Sequence, residues 1–253
     1  MVDKNRPGSF ALMAALPSEG ELVLDQCKIL RTETKGDLRI YHGVFADKEV
    51  LVAFSGMGKV NAAAAAAAIL SSYSVARLWM WGSAGAYDLA AVEISDVALA
   101  SEEILGDEGV ATISSWQPLD AIGIPLIDST VKPFFNRMEV DPLELKRSRK
   151  LLSEWEGIPP APRICVGPFV TLSAVSGSPA RARLLFNRYR ALCENMEGGA
   201  VAQVCLRYQV PFLEIRGLSN WAGDRKKGNW QLSKALNNCQ RALLYLLEHW
   251  DKV

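Results

Sequence analysis

Four stretches of the chain are apolar almost without interruption and break off at or beside Gly, Ser or Pro: FALMAAL (10–16), EVLVAFSG (49–56), RLWMWGSAGAY (77–87) and PFLEIRGL (211–218). A short continuous run of this kind reads as a strand covered on both faces, because a half-solvated strand would alternate. Between these runs the apolar spacing turns helical. VNAAAAAAAILSSY (60–73), with its seven consecutive alanines, has the strongest helix propensity available. Residues 143–157, 178–190, 196–209 and 229–250 follow as further helices, the last predicted to pack on the sheet edge. Strands alternating with helices predict an α/β fold, a three-layer α/β/α sandwich. Its twisted, mixed central sheet is expected to be mostly parallel, with right-handed crossovers. IPPAPR (158–163) is too short and too central for a linker, so one domain spanning 1–253 is expected.

Composition narrows the function classes. The 253 residues carry 28 basic and 28 acidic side chains, and zero net charge argues against a general nucleic-acid binder. Cys27, Cys165, Cys193, Cys205 and Cys239 are odd in number, widely spaced and form no CxxC pair. They predict reduced core thiols in a cytoplasmic protein rather than a disulfide framework or zinc site. With only His42 and His249, a histidine-rich metal site is excluded. MVDKNRPGSF lacks the charged-then-apolar order of a signal peptide, and the apolar runs are too short or too broken to span a bilayer.

Candidate chemistry gathers where strands end, since in a doubly wound sheet such ends converge on one crevice. Each candidate has an ordinary structural reading beside the functional one. Glu19 stands beside Ser18 and Glu21, a capping-box spacing, and Glu197 could be a first-turn acid before Gly198 and Gly199. Ser83 could be a turn residue, and Asn220 a helix N-cap. Arg216 lies inside an apolar run, and a buried charge there needs a partner.

Taken together, SGMGKVNAAAA, GSAGA and NMEGGAVAQVCLRYQVPFLEIRGLSN resemble the nucleoside phosphorylase and nucleosidase superfamily, over roughly residues 10–250. They look most like its hydrolase branch of methylthioadenosine/S-adenosylhomocysteine nucleosidases and futalosine hydrolases. GPFVTLSAVSGSPARARLL and SNWAGDR are most similar to the latter. The resemblance implies a nucleoside phosphorylase-like fold and a small-molecule nucleoside substrate. It calls for no cofactor, metal, nucleic acid or membrane, and it implies a homodimer or homotetramer. It matches Glu19 to a water-activating carboxylate and Glu197 to a residue holding ribose hydroxyls, with Met196 packing on the sugar. Ser83 and Arg216 match groups that position the water and the acid, and Ala84, Gly85 and Ser219 match the substrate-binding surroundings. Two nearby carboxylates would raise the pKa of one, which suits a base working near neutrality. Phosphate is disfavoured as the nucleophile, because Glu19 would repel it and Lys59 is the only base near the first Gly-rich loop.

At position 220 the adenine-specific relatives carry an aspartic acid, and this chain carries an amide. An amide NH₂ donates to O6 or N7 of a 6-oxopurine, where a carboxylate would repel both. A flipped amide could still satisfy N7 and the amino group of adenine. Phe169 is a candidate to stack on the base, or an ordinary core residue. Trp79, Trp81 and Trp221 are candidates for the wall of a 5′ pocket, and Asp224-Arg225 for a surface ion pair or a cap over the base. Two departures from the family pattern stand out: Ser95 where Gly is expected, and Gly199, which is expected to widen the pocket.

Overall fold

The computed structural model describes residues 8–129, 132–158 and 160–252; the N-terminal stretch read for a signal peptide lies almost entirely outside them, as does Pro159. Its first half holds β1 (Ser9–Ala14), α1 (Glu21–Gln26), β2 (Lys28–Lys35), β3 (Leu38–Phe45), β4 (Lys48–Phe54), α2 (Lys59–Ser72), β5 (Val75–Ala86) and β6 (Val97–Leu105). Next come the small β7 (Gly109–Ala111), β8 (Trp116–Pro118), α3 (Leu119–Ile122) and β9 (Arg137–Glu139). The rest is α4 (Pro142–Glu156), β10 (Ile164–Thr171), α5 (Pro179–Tyr189), β11 (Cys193–Asn195), α6 (Gly198–Tyr208), β12 (Phe212–Trp221) and α7 (Leu232–His249).

The sheet runs β11-β10-β6-β12-β5-β1-β4-β3-β2, with β9 beside β6. β1 lies parallel between β4 and β5, and β12 runs parallel to β5. These are the four apolar runs read from the sequence. The sheet is mixed rather than mostly parallel: β12 pairs antiparallel with β6, and β2, β3 and β4 form an antiparallel meander. β2 and β3 escape an apolar-run reading: β2 is largely exposed, and β3 is amphipathic, with Leu38 and Ile40 buried and Arg39 exposed between them. β5 is long enough for its far end to pair also with β11, which curls the sheet back on itself. Gly85 and Ala86 are thereby brought against Cys193 and Glu194.

Helices cover both faces. α7 lies across β12 and β5, the middle of the sheet and not its edge, because its apolar stripe includes Ala235, Cys239, Ala242, Leu243 and Leu246, all fully buried. On the opposite face α6 packs over β6, β10, β12 and β5, and the alanine-rich α2 packs on α6. The small side chains of α2 let helix approach helix. All five cysteines are free and buried. Among the described residues no helix is long and apolar enough to cross a membrane.

Candidate active site

Glu19 ends a single helical turn, Pro17–Glu19, that follows β1. One of its oxygens, Oε2, accepts from the backbone N–H of Leu16 at 3.2 Å, so Glu19 itself caps the turn. Oε1 accepts from Ser83 twice, from the backbone N–H at 3.0 Å and the hydroxyl at 3.1 Å. The Trp81 indole N–H donates to the Glu19 carbonyl at 2.8 Å. The Ser18–Glu21 capping box is not formed: α1 starts from Gly20 with no side-chain cap. Gly82, between Trp81 and Ser83, leaves the room this arrangement needs. A Cβ there would lie 2.7 Å from Arg216 Nη1 and 3.0 Å from Glu19 Oε1.

Glu197 enters from the start of α6. Glu197 is the N-cap residue of that helix, but its side chain caps nothing; Asn195 Oδ1 instead accepts from the N–H groups of Glu197 and Gly198 at 2.9 and 2.8 Å. The Glu197 carboxylate is therefore free to point elsewhere. Oε1 accepts from the Gly58 N–H at 2.9 Å and Oε2 from Arg216 Nη2 at 3.4 Å. Burial pushes the Glu197 carboxyl above its ordinary range; Arg216 and the Gly58 N–H pull it back, and Glu19 and Glu214 push it further up. The raised acid that two neighbouring carboxylates were expected to produce is thus Glu197.

Arg216 supplies the charge between these groups. It is 1% exposed, donates through Nε to Glu214 Oε1 at 2.6 Å and through Nη1 to the Ser83 carbonyl at 3.2 Å. Burial works against its charge, but Glu214, Glu197 and Glu19 outweigh that and hold the guanidinium firmly protonated. Position 216 thus has the partner that a charge in an apolar run demands, and it lies two residues away on the same face of β12.

Asn220 sits opposite Gly85 in β12, just after a register shift, and is no helix cap. Its Nδ2 donates to the Trp221 carbonyl at 2.9 Å, and its Oδ1 accepts from the Ser219 hydroxyl at 2.8 Å. A carbonyl can only accept, so this contact fixes which end of the amide is nitrogen. Ser219 also reaches the Ala84 carbonyl at 3.2 Å, which ties the pair to the end of β5. Met196 is partly exposed beside Glu197. It lines a cavity of about 560 Å³ with Met57, Gly58, Leu105, Ser173 and Ala200.

Several expected residues are elsewhere. Phe169 is fully buried on β10 within the core, so it presents no face to a base. Trp79 and Trp81 are equally buried, although Trp81 anchors the Glu19 backbone. Trp221 keeps some exposure. Asp224 makes no ion pair with Arg225; it accepts from the Lys226 N–H and the Asn229 amide in a local turn, while Arg225 stacks on Trp230. Gly199 does not widen the pocket. A Cβ there would meet Leu105 at 2.9 Å and Thr171 at 3.2 Å, so the glycine serves interior packing. Lys59 is held by Asp107 and Glu108 at 2.7 Å each, and Glu197 occupies the Gly58 N–H. An anion approaching the Gly-rich turn meets carboxylates.

Three polar residues at the site were not singled out from the sequence: Glu103, Asn195 and Glu214, all buried. Glu214 was detectable, being the acid two positions before Arg216 in the same apolar strand. Glu103 sits within VALASEEIL on β6, where nothing local distinguishes it from a surface acid.

A buried guanidinium ringed by carboxylates, close to a cavity lined from the ends of β4, β6 and β10 and the starts of α2 and α6, places the protein among α/β enzymes that bind a ligand at strand ends. The model of the Phosphorylase superfamily matches residues 9–248, and the chain belongs to that superfamily. It is 35% identical over 196 residues to the futalosine hydrolase of Thermus thermophilus, covering 76% of this chain and 79% of that one. It is 29% identical over 215 residues to a 5′-methylthioadenosine/S-adenosylhomocysteine nucleosidase of Bacillus cereus, covering 85% and 86%. The nucleosidase of that name from Neisseria meningitidis, solved with methylthio-immucillin-A, superposes with a TM-score of 0.79 at 23% identity over 95% of this chain and 99% of that one.

Proposed function

We propose that this N-glycosyl hydrolase cleaves futalosine, releasing hypoxanthine and dehypoxanthine futalosine in the alternative route to menaquinone. The observation that carries this reading is the anchored Asn220 amide. With its nitrogen turned to the Trp221 carbonyl and its oxygen held by Ser219, the remaining N–H of Nδ2 is a donor for a ligand. O6 and N7 of a 6-oxopurine both accept. A 6-amino group would set donor against donor, and flipping the amide would break the contact to Trp221. A mispaired buried polar group costs about 1–3 kcal/mol, roughly tenfold to a hundredfold in discrimination.

The reaction follows from the same geometry. Glu19, oriented by Leu16 and Ser83, takes a proton from water as the oxygen attacks C1′. Glu197, steadied by Gly58 and Arg216, holds the ribose hydroxyls and lends negative charge to the oxocarbenium-like transition state. The C1′–N9 bond breaks with its electron pair going to the purine. Hypoxanthine delocalises that charge onto O6, within reach of the Asn220 donor, before a proton from solvent neutralises the base. The cavity beside Met196 offers room for the 5′ substituent. We place the enzyme in the cytoplasm as a single-domain homodimer or homotetramer, acting without cofactor, nucleic acid or membrane.

A second reading, adenine release from methylthioadenosine, S-adenosylhomocysteine or aminofutalosine, draws support from the 29% identical relative. Chromatography of products from futalosine, aminofutalosine, methylthioadenosine and inosine, each with and without phosphate, separates the two. Phosphate-independent hypoxanthine release from futalosine alone is the expected result. Adenine release from the amino substrates overturns it, and strict phosphate dependence makes the enzyme a phosphorylase.

A further inference from the structure

Behind Arg216 the interior of the sheet holds two carboxyl groups that the reaction above does not use. Glu103 on β6 and Glu214 on β12 are both 0% exposed, and both lie under the start of α6, close enough that, after burial itself, the charge of Glu214 pushes the Glu103 carboxyl upward. Glu214 Oε1 accepts from Arg216 Nε, while its buried Oε2 has no hydrogen-bond partner. Oε2 lies directly beneath the first turn of α6, where a Cβ on Gly198 would come within 1.9 Å of it. Glu103 has no ion-pair partner among the described residues. It accepts from the Thr171 hydroxyl at 2.7 Å and faces Asn195 Nδ2 at 3.5 Å. Thr171 in turn accepts from the Gly199 N–H at 2.7 Å. The other groups with charge or a titratable proton facing the pair include Arg216, the Cys193 thiol and the Glu197 carboxyl.

Arg216 must already balance Glu214 and Glu197, and Glu19 stands nearby. A further buried anion would face Glu214 acceptor to acceptor with no cation to spare, an arrangement that costs several kcal/mol. One proton removes the conflict. We propose that Glu103 and Glu214 share a single proton, Glu103 donating O–H to Glu214 Oε2, and that this pair is a positioning element that sets Arg216 and the start of α6 so that Glu197 meets the ribose. The inference rests on the reading of Glu197 as the ribose-holding carboxylate. The double glycine after Glu197 belongs to the same device: Gly198 makes room for Glu214, and Gly199 lets the helix settle on Thr171.

The test compares Glu103→Gln with Glu103→Leu. A Gln at 103 keeps a neutral donor toward Glu214, whereas Leu leaves Glu214 Oε2 orphaned. Losing that bond predicts at least a tenfold fall in kcat/KM for futalosine in E103L, carried mainly by KM, with E103Q within about threefold of wild type. Infrared difference spectra at pH 7.5 supply a readout that needs no substrate. Wild type minus E103Q is expected to contain the carbonyl stretch of a protonated carboxyl, and the band is expected to persist in Glu19→Gln. Absence of that band, or E103Q as damaging as E103L, overturns the proposal. A wild-type enzyme that cleaves no futalosine defeats the proposed function instead, and the infrared band then decides the shared proton on its own.

Discussion

Ser83 holds one oxygen of Glu19 with two bonds, the backbone N–H at 3.0 Å and the hydroxyl at 3.1 Å. The two residues are 64 positions apart, one after β1 and the other near the end of β5, and β1 and β5 are neighbours in the sheet. Because half of the grip is backbone, substitutions on the two sides have unequal effects. Ser83→Ala leaves the N–H in place and is expected to lower kcat about tenfold, the value of one hydrogen bond to a charged group. Glu19→Gln removes the carboxylate proposed as the base and is expected to lower kcat by about 10²–10⁴ while nucleoside binding survives. Steady-state hypoxanthine release and calorimetric titration of the nucleoside check both parts. Equal losses in the two variants would show that the Ser83 backbone contact does not hold Glu19 in place.

Asn220→Asp replaces the fixed donor with a carboxylate in the same cradle of Ser219 and Trp221. Repulsion of O6 and N7 predicts a fall of about tenfold to a hundredfold in kcat/KM for the 6-oxopurine nucleoside, with aminofutalosine gaining relative to it. The ratio of the two kcat/KM values is the measurement. A ratio that does not move shows that the base is read elsewhere.

Gly198→Ala would drive a methyl group to 1.9 Å from Glu214 Oε2, inside a region where neither side has room. Overpacking of this kind costs about 1–3 kcal/mol, and the displaced Glu214 should also carry Arg216 with it. Thermal denaturation is expected to show the loss, together with a raised KM. A variant as stable as wild type would mean that the start of α6 can lift off β12 freely.

Ser95 adopts φ 81°, a left-handed backbone that costs an L-residue about 1–2 kcal/mol and a glycine little. The glycine expected there by family pattern has this physical basis. Ser95→Gly returns part of the gain as unfolded-chain freedom, so a net stabilisation of up to about 1 kcal/mol is expected in urea titration. Activity should be untouched, because the Ser95 contacts are to the Leu218 and Asn238 packing and not to the cleft.

Glu103 also makes stability depend on pH. Burial, followed by the neighbouring Glu214, raises its carboxyl well above the ordinary value of 4.5. A folded state that keeps a proton the unfolded chain has released loses stability as pH rises from that ordinary value toward the raised one. Urea midpoints between pH 5 and 8 should therefore fall in wild type, and fall less in Glu103→Gln. Glu194 and Glu197 are raised mainly by burial too and contribute slopes of the same sign in both proteins. Parallel slopes would place the titrating proton elsewhere.

The sequence by itself determined the α/β class, the four strands whose apolar runs pack on both faces, and the stations of Glu19, Ser83, Glu197, Arg216 and Asn220. Strand burial and helix propensity are local properties, and the site residues sit at breaks in the pattern, where a polar side chain is conspicuous. The outer strands β2 and β3 were not legible as apolar runs, because they are partly solvated. Tertiary structure decided what each of those residues touches. Only the parallel placement of β5 between β1 and β12 sets Ser83 against Glu19 and Gly82 beneath Arg216. Only the fold distinguishes Phe169, buried on β10, from a ring that could stack on a base. The pairing of Glu103 with Glu214 was the least legible, for the two are 111 positions apart, and Glu103 looks ordinary in its own strand. Their meaning lies in sharing one dry space with a single guanidinium, and charge balance inside a low-dielectric interior depends on neighbours that chain order does not reveal.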